Sequence, residues 1–135
     1  MVDDEGNRGG LAPGESFVIA GDLNADPFDG DSVTGAIDQL LRSPLIDSSC
    51  TPTSAGAAEA TVQQAGVNLQ HRGDPAHDTS DFNDERVGNL RLDYLLPSQG
   101  LSLEGCGVFW PAVAEDGSAL VEVSDHRLVW LDITL

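Results

Sequence analysis

Phe17-Val18-Ile19-Ala20-Gly21-Asp22-Leu23-Asn24-Ala25-Asp26-Pro27 is the stretch on which the reading of this chain turns. Phe17 to Ala20 read as a buried strand, and they are followed at once by Gly21, a carboxylate at Asp22 and an amide at Asn24. Strand side chains alternate, so Asp22 and Asn24 point to the same side if the extended backbone persists through Leu23. Their oxygens could then face one metal ion or one phosphate. The plain alternative is a strand that ends in an Asx turn, with Asp and Asn bonding their own backbone and Pro27 stopping the ladder.

Two later segments bear on that choice. Arg91-Leu92-Asp93-Tyr94-Leu95-Leu96-Pro97-Ser98 is a strand with one acid in an apolar run, where an ionised carboxylate is costly without a partner. Ser124-Asp125-His126-Arg127 stands immediately before the last apolar run, Leu128 to Leu135. A carboxylate beside an imidazole at a strand entrance offers a metal ligand next to a proton donor. Asp93 is the natural partner to fix the tautomer of His126. Taken singly, each segment has a bland version: Asp93 paired with Arg91 or Arg127, and Asp125-His126 as a hydrogen-bonded turn.

Working outward, Val2 to Glu15 are acidic and glycine-rich, so residues 1–15 read as a flexible lead-in and 16–135 as one domain. The spacing of Val33, Ala36, Ile37, Leu40 and Leu41 predicts a helix over Val33 to Arg42, capped by Asp31 or Ser32 and ended by Pro44. Ala57 to Ala65 reads as a short surface helix that adds little to a core. Gly66 to Asn89 is a long polar excursion, a length of loop that is usually functional or disordered. The remainder reads as strands at Leu90–Leu96, Leu101–Trp110 and Arg127–Leu135. Trp110 and Trp130, inside apolar runs, read as core or sheet-packing residues, and His77 as an exposed side chain.

A chain of 135 residues suits one domain, which could bury roughly two thirds of its unfolded surface. There is no apolar run long enough to span a bilayer. Acidic residues number 23 against six basic ones, all arginine, for a net charge of −17. That field repels polyanions, which argues against non-specific binding of long nucleic acid; small phosphorylated molecules stay open as substrates. Cys50 and Cys106 lack zinc-site spacing and are either paired, implying an oxidising compartment, or two buried thiols. Met1-Val2-Asp3-Asp4-Glu5 has no basic character of the kind that opens a signal peptide.

The three segments Gly21 to Pro27, Arg91 to Tyr94 and Ser124 to His126, in this order and each at a strand edge, resemble the C-terminal half of the endonuclease/exonuclease/phosphatase superfamily, the DNase I-like metal-dependent phosphoesterases. His71-Arg72-Gly73-Asp74-Pro75, Asp78-Thr79-Ser80-Asp81-Phe82 and Gly107-Val108-Phe109-Trp110-Pro111 are similar to a bacterial, phytase-like or extracellular branch. The resemblance implies an α/β or α+β fold: half of a four-layer αββα sandwich, with a mainly antiparallel or mixed sheet and helices on one face. It implies that Asp22 orients or deprotonates the attacking water and that Asn24 helps hold that water and the phosphate. Asp125 binds Mg²⁺, or Mn²⁺ or Ca²⁺, His126 donates to a phosphoryl oxygen, and Asp93 holds His126. His71 and Arg72 are candidate phosphate contacts, and Asp78 and Thr79 are placed near the pocket. An extracellular or periplasmic address follows from the branch and the two cysteines.

The chain departs from that pattern in lacking, upstream of Gly21, the family's metal-binding Glu and second His. The expectation is an incomplete phosphoesterase domain, or a non-catalytic interaction fragment of the same fold. Its half-sandwich would expose Ile19, Leu95, Val108 and Leu131 to be covered by a dimer partner or by the missing N-terminal half.

Overall fold

The apolar run after Ser16 forms a strand, β1 (Val18–Asp22), but not the buried one expected, since only Ile19 of it is partly covered. The chain then continues through α1 (Asp38–Leu41), α2 (Ala55–Gln64), β2 (Ser80–Asp81), β3 (Asn89–Leu90), β4 (Asp93–Pro97), β5 (Ser102–Phe109) and β6 (Leu128–Thr134). Short 3-10 turns lie at Gly66–Gln70, Pro75–His77 and Ser118–Val123. The structure is a computed structural model that describes residues 2, 4–6 and 8–134. Met1, Asp3, Asn7 and Leu135 lie outside them, and with them part of the expected lead-in and the last residue of the expected final strand. The strands pair as β1 with β4, β2 with β3 and β5 with β6, each pair antiparallel, which makes the fold α+β.

One core gathers where β1 and β4 meet the segment that follows β1. Ala25, Ile37, Ile46, Tyr94 and Leu96 are buried there, with Phe17, Ile19, Leu23, Leu40 and Leu41 packed around them. Full burial of an aliphatic side chain such as Ile37, Ile46 or Leu96 contributes roughly 1.5–3 kcal/mol. The Tyr94 hydroxyl lies 2.7 Å from the carbonyl of Ala25 and 2.9 Å from that of Arg91, so its proton ties the loop after β1 to the entrance of β4. The expected helix over Val33 to Arg42 is cut to a single turn, because Gly35 at φ +76° is left-handed and neither Asp31 nor Ser32 caps it.

A second cluster joins α2 to β5 through Ala57, Val108 and Trp110. Here α2 does more than the sequence suggests, since Ala57 is fully buried and Ser54 caps the helix by accepting from the Ala57 N–H at 3.1 Å. Gly56 donates its N–H to the Trp110 carbonyl, and a Cβ at Gly56 would fall 2.2 Å from that oxygen, so only glycine permits the approach. Cys50 and Cys106 form a disulfide that fastens the loop before α2 to β5. Both tryptophans pack as expected: Trp110 is buried, and Trp130, although 45% exposed, lies over Gly107, its cross-strand partner.

The apolar side chains left in solvent are not the ones anticipated. Val108 is buried and Ile19, Leu95 and Leu131 are partly covered, while Val18, Phe109, Leu128 and Trp130 are exposed. Alternation along each strand accounts for the difference: Val18, Leu128 and Trp130 sit one residue away from the covered positions and face the opposite side.

The disulfide spans 56 residues, and closing a loop of that length stabilises the fold by roughly 4 kcal/mol in the chain-entropy account. Replacing Cys50 and Cys106 together by alanine should lower the urea-unfolding free energy by about that amount. A loss below about 1 kcal/mol would mean that the denatured chain already holds these segments together.

Candidate functional site

Asp22 ends β1 and its partner across the ladder is Asp93, the first residue of β4. Like charges opposite one another on adjacent strands destabilise a sheet, so each carboxylate has to be met by donors from elsewhere. Asp22 is met locally: Oδ1 accepts the Asn24 N–H at 2.8 Å and Oδ2 accepts the Asn24 side-chain amide at 3.1 Å. The extended backbone therefore does not persist to Asn24, which sits at φ +49° in the left-handed region that Asn tolerates. The Asx turn and the polar cluster are the same structure.

Asp93 is met from a distance. Its Oδ2 accepts the Thr79 hydroxyl at 2.9 Å and lies 2.8 Å from Nδ1 of His126. An acceptor at that position places the imidazole proton on Nδ1 and leaves Nε2 for the outside. The bond to Asp93 is the main cause that raises the His126 pKa above its usual value; partial burial opposes it, and the charges of Asp93, Asp22 and Asp125 add to it. The Phe82 ring stands edge-on to the imidazole at 5.7 Å.

Backbone pairing fixes where His126 enters. Residues 79–81 run against 125–127: Asp81 N–H donates to the Asp125 carbonyl and Arg127 N–H to the Thr79 carbonyl, both at 2.8 Å. Arg127 then locks the segment, since its guanidinium bonds Asp81 at 2.7 Å, donates to the Ser124 carbonyl and lies 4.3 Å above the Trp110 ring. Arg91 lies over Tyr94 at 4.7 Å. Both arginines named as possible partners of Asp93 are thus engaged elsewhere.

Asp22, Asp93, Asp125 and His126 accordingly come together at one end of the β1–β4 pair. His71 and Arg72 do not join them. Arg72 and Gly73 give their backbone N–H groups to Asp29 at 2.8–3.0 Å, and the Arg72 side chain extends into solvent. Neither His71 nor Arg72 bonds Asp22, Asp93 or His126 among the described residues. His77, expected to be exposed and unpartnered, is half-buried with Nδ1 3.0 Å from the Pro52 carbonyl.

A sequence model described as the endonuclease/exonuclease/phosphatase family matches residues 1–126, a span that takes in all four of these side chains. The chain belongs to this family. No curated protein and no solved structure matches it.

The endonuclease/exonuclease/phosphatase family carries hydrolases of the phosphoesterase and nuclease type and is generally dependent on a divalent metal. Among the described residues, no three His, Cys, Asp or Glu side chains are grouped as the ligands of one ion. The donor chemistry still suits a hard cation. Asp125 presents an exposed carboxylate beside His126, and Mg²⁺ is commonly held by one or two carboxylates, with water and substrate phosphate completing its shell.

The sequence places Thr79 only loosely. The signal for its hydrogen bonds is absent locally, because the groups it meets lie 13 and 14 residues further on. Asp78, its neighbour, faces another way, into a small cavity of about 30 Å³ shared with Asp26, Asp74, His77 and Arg91. Only 9% exposed and without a hydrogen-bond partner for its carboxyl among the described residues, Asp78 has its pKa pushed up to about 8, chiefly by burial and then by the charges of Asp26, Asp29 and Asp74.

A carboxyl whose folded pKa lies above its unfolded value binds extra protons in the native state, so stability is lost as pH climbs from about 4 toward 8. Asp78→Asn should therefore melt at a higher temperature than the parent protein at pH 9 and show no such gain at pH 4. Equal melting shifts at both pH values would contradict the assignment.

Proposed function

We propose that this chain supplies the phosphoryl-facing part of a metal-dependent phosphoesterase site, hydrolysing phosphodiester or phosphomonoester bonds with an activated water. The observation that carries the reading is the imidazole of His126 held by Asp93 directly across the ladder from Asp22. In this reading Asp22 orients the attacking water and accepts its proton, and Asn24 helps hold that water and the phosphate. Nε2 of His126 donates to a non-bridging oxygen as negative charge gathers there, while Asp93 retains the proton on Nδ1. The raised pKa of His126 supports this donor role. Asp125 would hold a Mg²⁺ ion, with Mn²⁺ or Ca²⁺ as substitutes, and the ion when bound neutralises charge on the phosphoryl group.

The finer parts of the reading rest on the sequence resemblance. They are the phytase-like branch, the four-layer sandwich of which these strands form one half, and a small phosphorylated substrate in preference to long nucleic acid. A net charge of −17 supports the last of these. The disulfide supports an oxidising, extracellular or periplasmic setting.

A second reading is favoured by one observation, the exposed apolar side chains Val18, Phe109, Leu128 and Trp130. On that reading the chain is a non-catalytic half of the same fold whose sheet face is covered by a second copy or by the other half of the sandwich.

With bis-p-nitrophenyl phosphate, Mg²⁺ or Mn²⁺ should release p-nitrophenol in a titratable way. Asp125→Ala and His126→Ala should each lower the rate by about 100-fold or more. A chain that neither binds Mg²⁺ nor cleaves the diester, yet dimerises with concentration in sedimentation, would be the interaction module instead.

A further inference from the structure

We propose that Thr79 is a positioning residue of this site, its hydroxyl fixing the Asp93 carboxylate in the orientation that holds His126. The inference rests on the phosphoesterase reading for its kinetic consequence and on hydrogen-bond geometry for its substance. A threonine hydroxyl has one proton to give and two lone pairs to receive with. Both lone pairs of Thr79 are used, by the backbone N–H groups of Leu92 and Asp93, each at 2.9 Å. The proton is left a single direction, toward Oδ2 of Asp93 at 2.9 Å. The residue is 1% exposed, so water does not compete for these bonds.

Its backbone is held as firmly as its side chain. Thr79 N–H donates to the Leu90 carbonyl at 2.9 Å, and its own carbonyl accepts the Arg127 N–H at 2.8 Å. One residue therefore joins the entrance of β4, which carries Asp93, to the entrance of β6, which carries His126. Neither neighbour could substitute: Asp78 faces the separate cavity, and the Ser80 hydroxyl is turned to the Leu90 carbonyl. Oδ2 of Asp93 accepts from both Thr79 and His126, so the Thr79 bond stops the carboxylate from rotating away from the imidazole. Without it, the Asp93 carboxylate is free to turn away from the imidazole.

The test compares Thr79→Val, which keeps shape and removes the hydroxyl, with Thr79→Ser, which keeps the hydroxyl. In the full chain with Mg²⁺ and bis-p-nitrophenyl phosphate, Thr79→Val should lower kcat about tenfold or more with KM within about twofold, because misplacement of a catalytic group acts on the transition state. Thr79→Ser should recover most of that loss. In an Asp93→Asn background the valine change should add less than about twofold, since the two act as one unit. By proton NMR, the downfield Nδ1–H resonance of His126 should be present in the parent and in Thr79→Ser and be lost in Thr79→Val. If valine does not fold, cysteine replaces it, its thiol being a weak donor of similar size.

Persistence of the resonance in the variant without the hydroxyl would overturn the proposal. So would an equally large valine effect in the Asp93→Asn background. Should the parent chain prove inactive, the phosphoesterase reading of the isolated chain fails, and the resonance still decides the role of Thr79.

Discussion

Two carboxylates facing each other across the last rung of the β1–β4 ladder are the constraint around which the rest is arranged. Nothing in an antiparallel pair relieves such a contact, and the two strands bring it about because β4 must offer Tyr94 and Leu96 to the core while β1 offers Ile19. The chain relieves it twice, by different means. Asp22 is satisfied within three residues by the turn that Asn24 closes, and Asp93 by groups 14 residues before it and 33 residues after it. The local remedy leaves Asp22 exposed, whereas the distant one half-buries Asp93 and orients an imidazole.

That distant remedy explains why the polar excursion before β4 is ordered at all. Its acids and amides bond one another across long sequence separations: Asn68 to Asp84 at 3.0 Å, Asn89 to Gln64 at 2.7 Å and Gln64 to Asp81 at 2.9 Å. These bonds offset most of the cost of burying the amides, with Asn89 Oδ1 left unpartnered, and tie the excursion to α2. Residues 79–81 emerge from it with both backbone edges used, one by β3 and the other by residues 125–127. The Asp93–His126 pair is held on this strip.

Much of the arrangement was legible in the chain itself. Phe17 to Ala20 announced a strand by composition, and Asp93 and His126 announced a pair because a lone acid in an apolar run requires a partner and an imidazole at a strand entrance can be one. What stayed hidden had causes beyond local reach. The helix expected over Val33 to Arg42 was undone by Gly35, whose backbone conformation is not written in apolar periodicity. Ala57 looked like surface because a small side chain gives no sign that Trp110 and Val108 close over it. Which of Ile19 and Val18, or of Leu131 and Trp130, would be left in solvent depends on which face of a strand is covered, and alternation alone does not say.

Four of the arginines bring no positive charge to the group at the end of β1. Of the six, Arg42 is paired with Asp38 at 3.0 Å, Arg127 is buried between Asp81 and Trp110, Arg91 lies on Tyr94, and Arg72 is anchored at Asp29. None of these four reaches the Asp22–Asp93–His126 group, which sits among carboxylates in a chain of net charge −17. A phosphoryl oxygen arriving there would meet repulsion from Asp22, Asp93 and Asp125 at distances too short for salt to screen. On the proposed reading a divalent cation at Asp125 would offset that repulsion, and the same carboxylates raise the pKa of His126. The acidity that disfavours a bare polyanion is thus the same acidity that raises the His126 pKa, and the bond to Asp93 fixes where that imidazole stands.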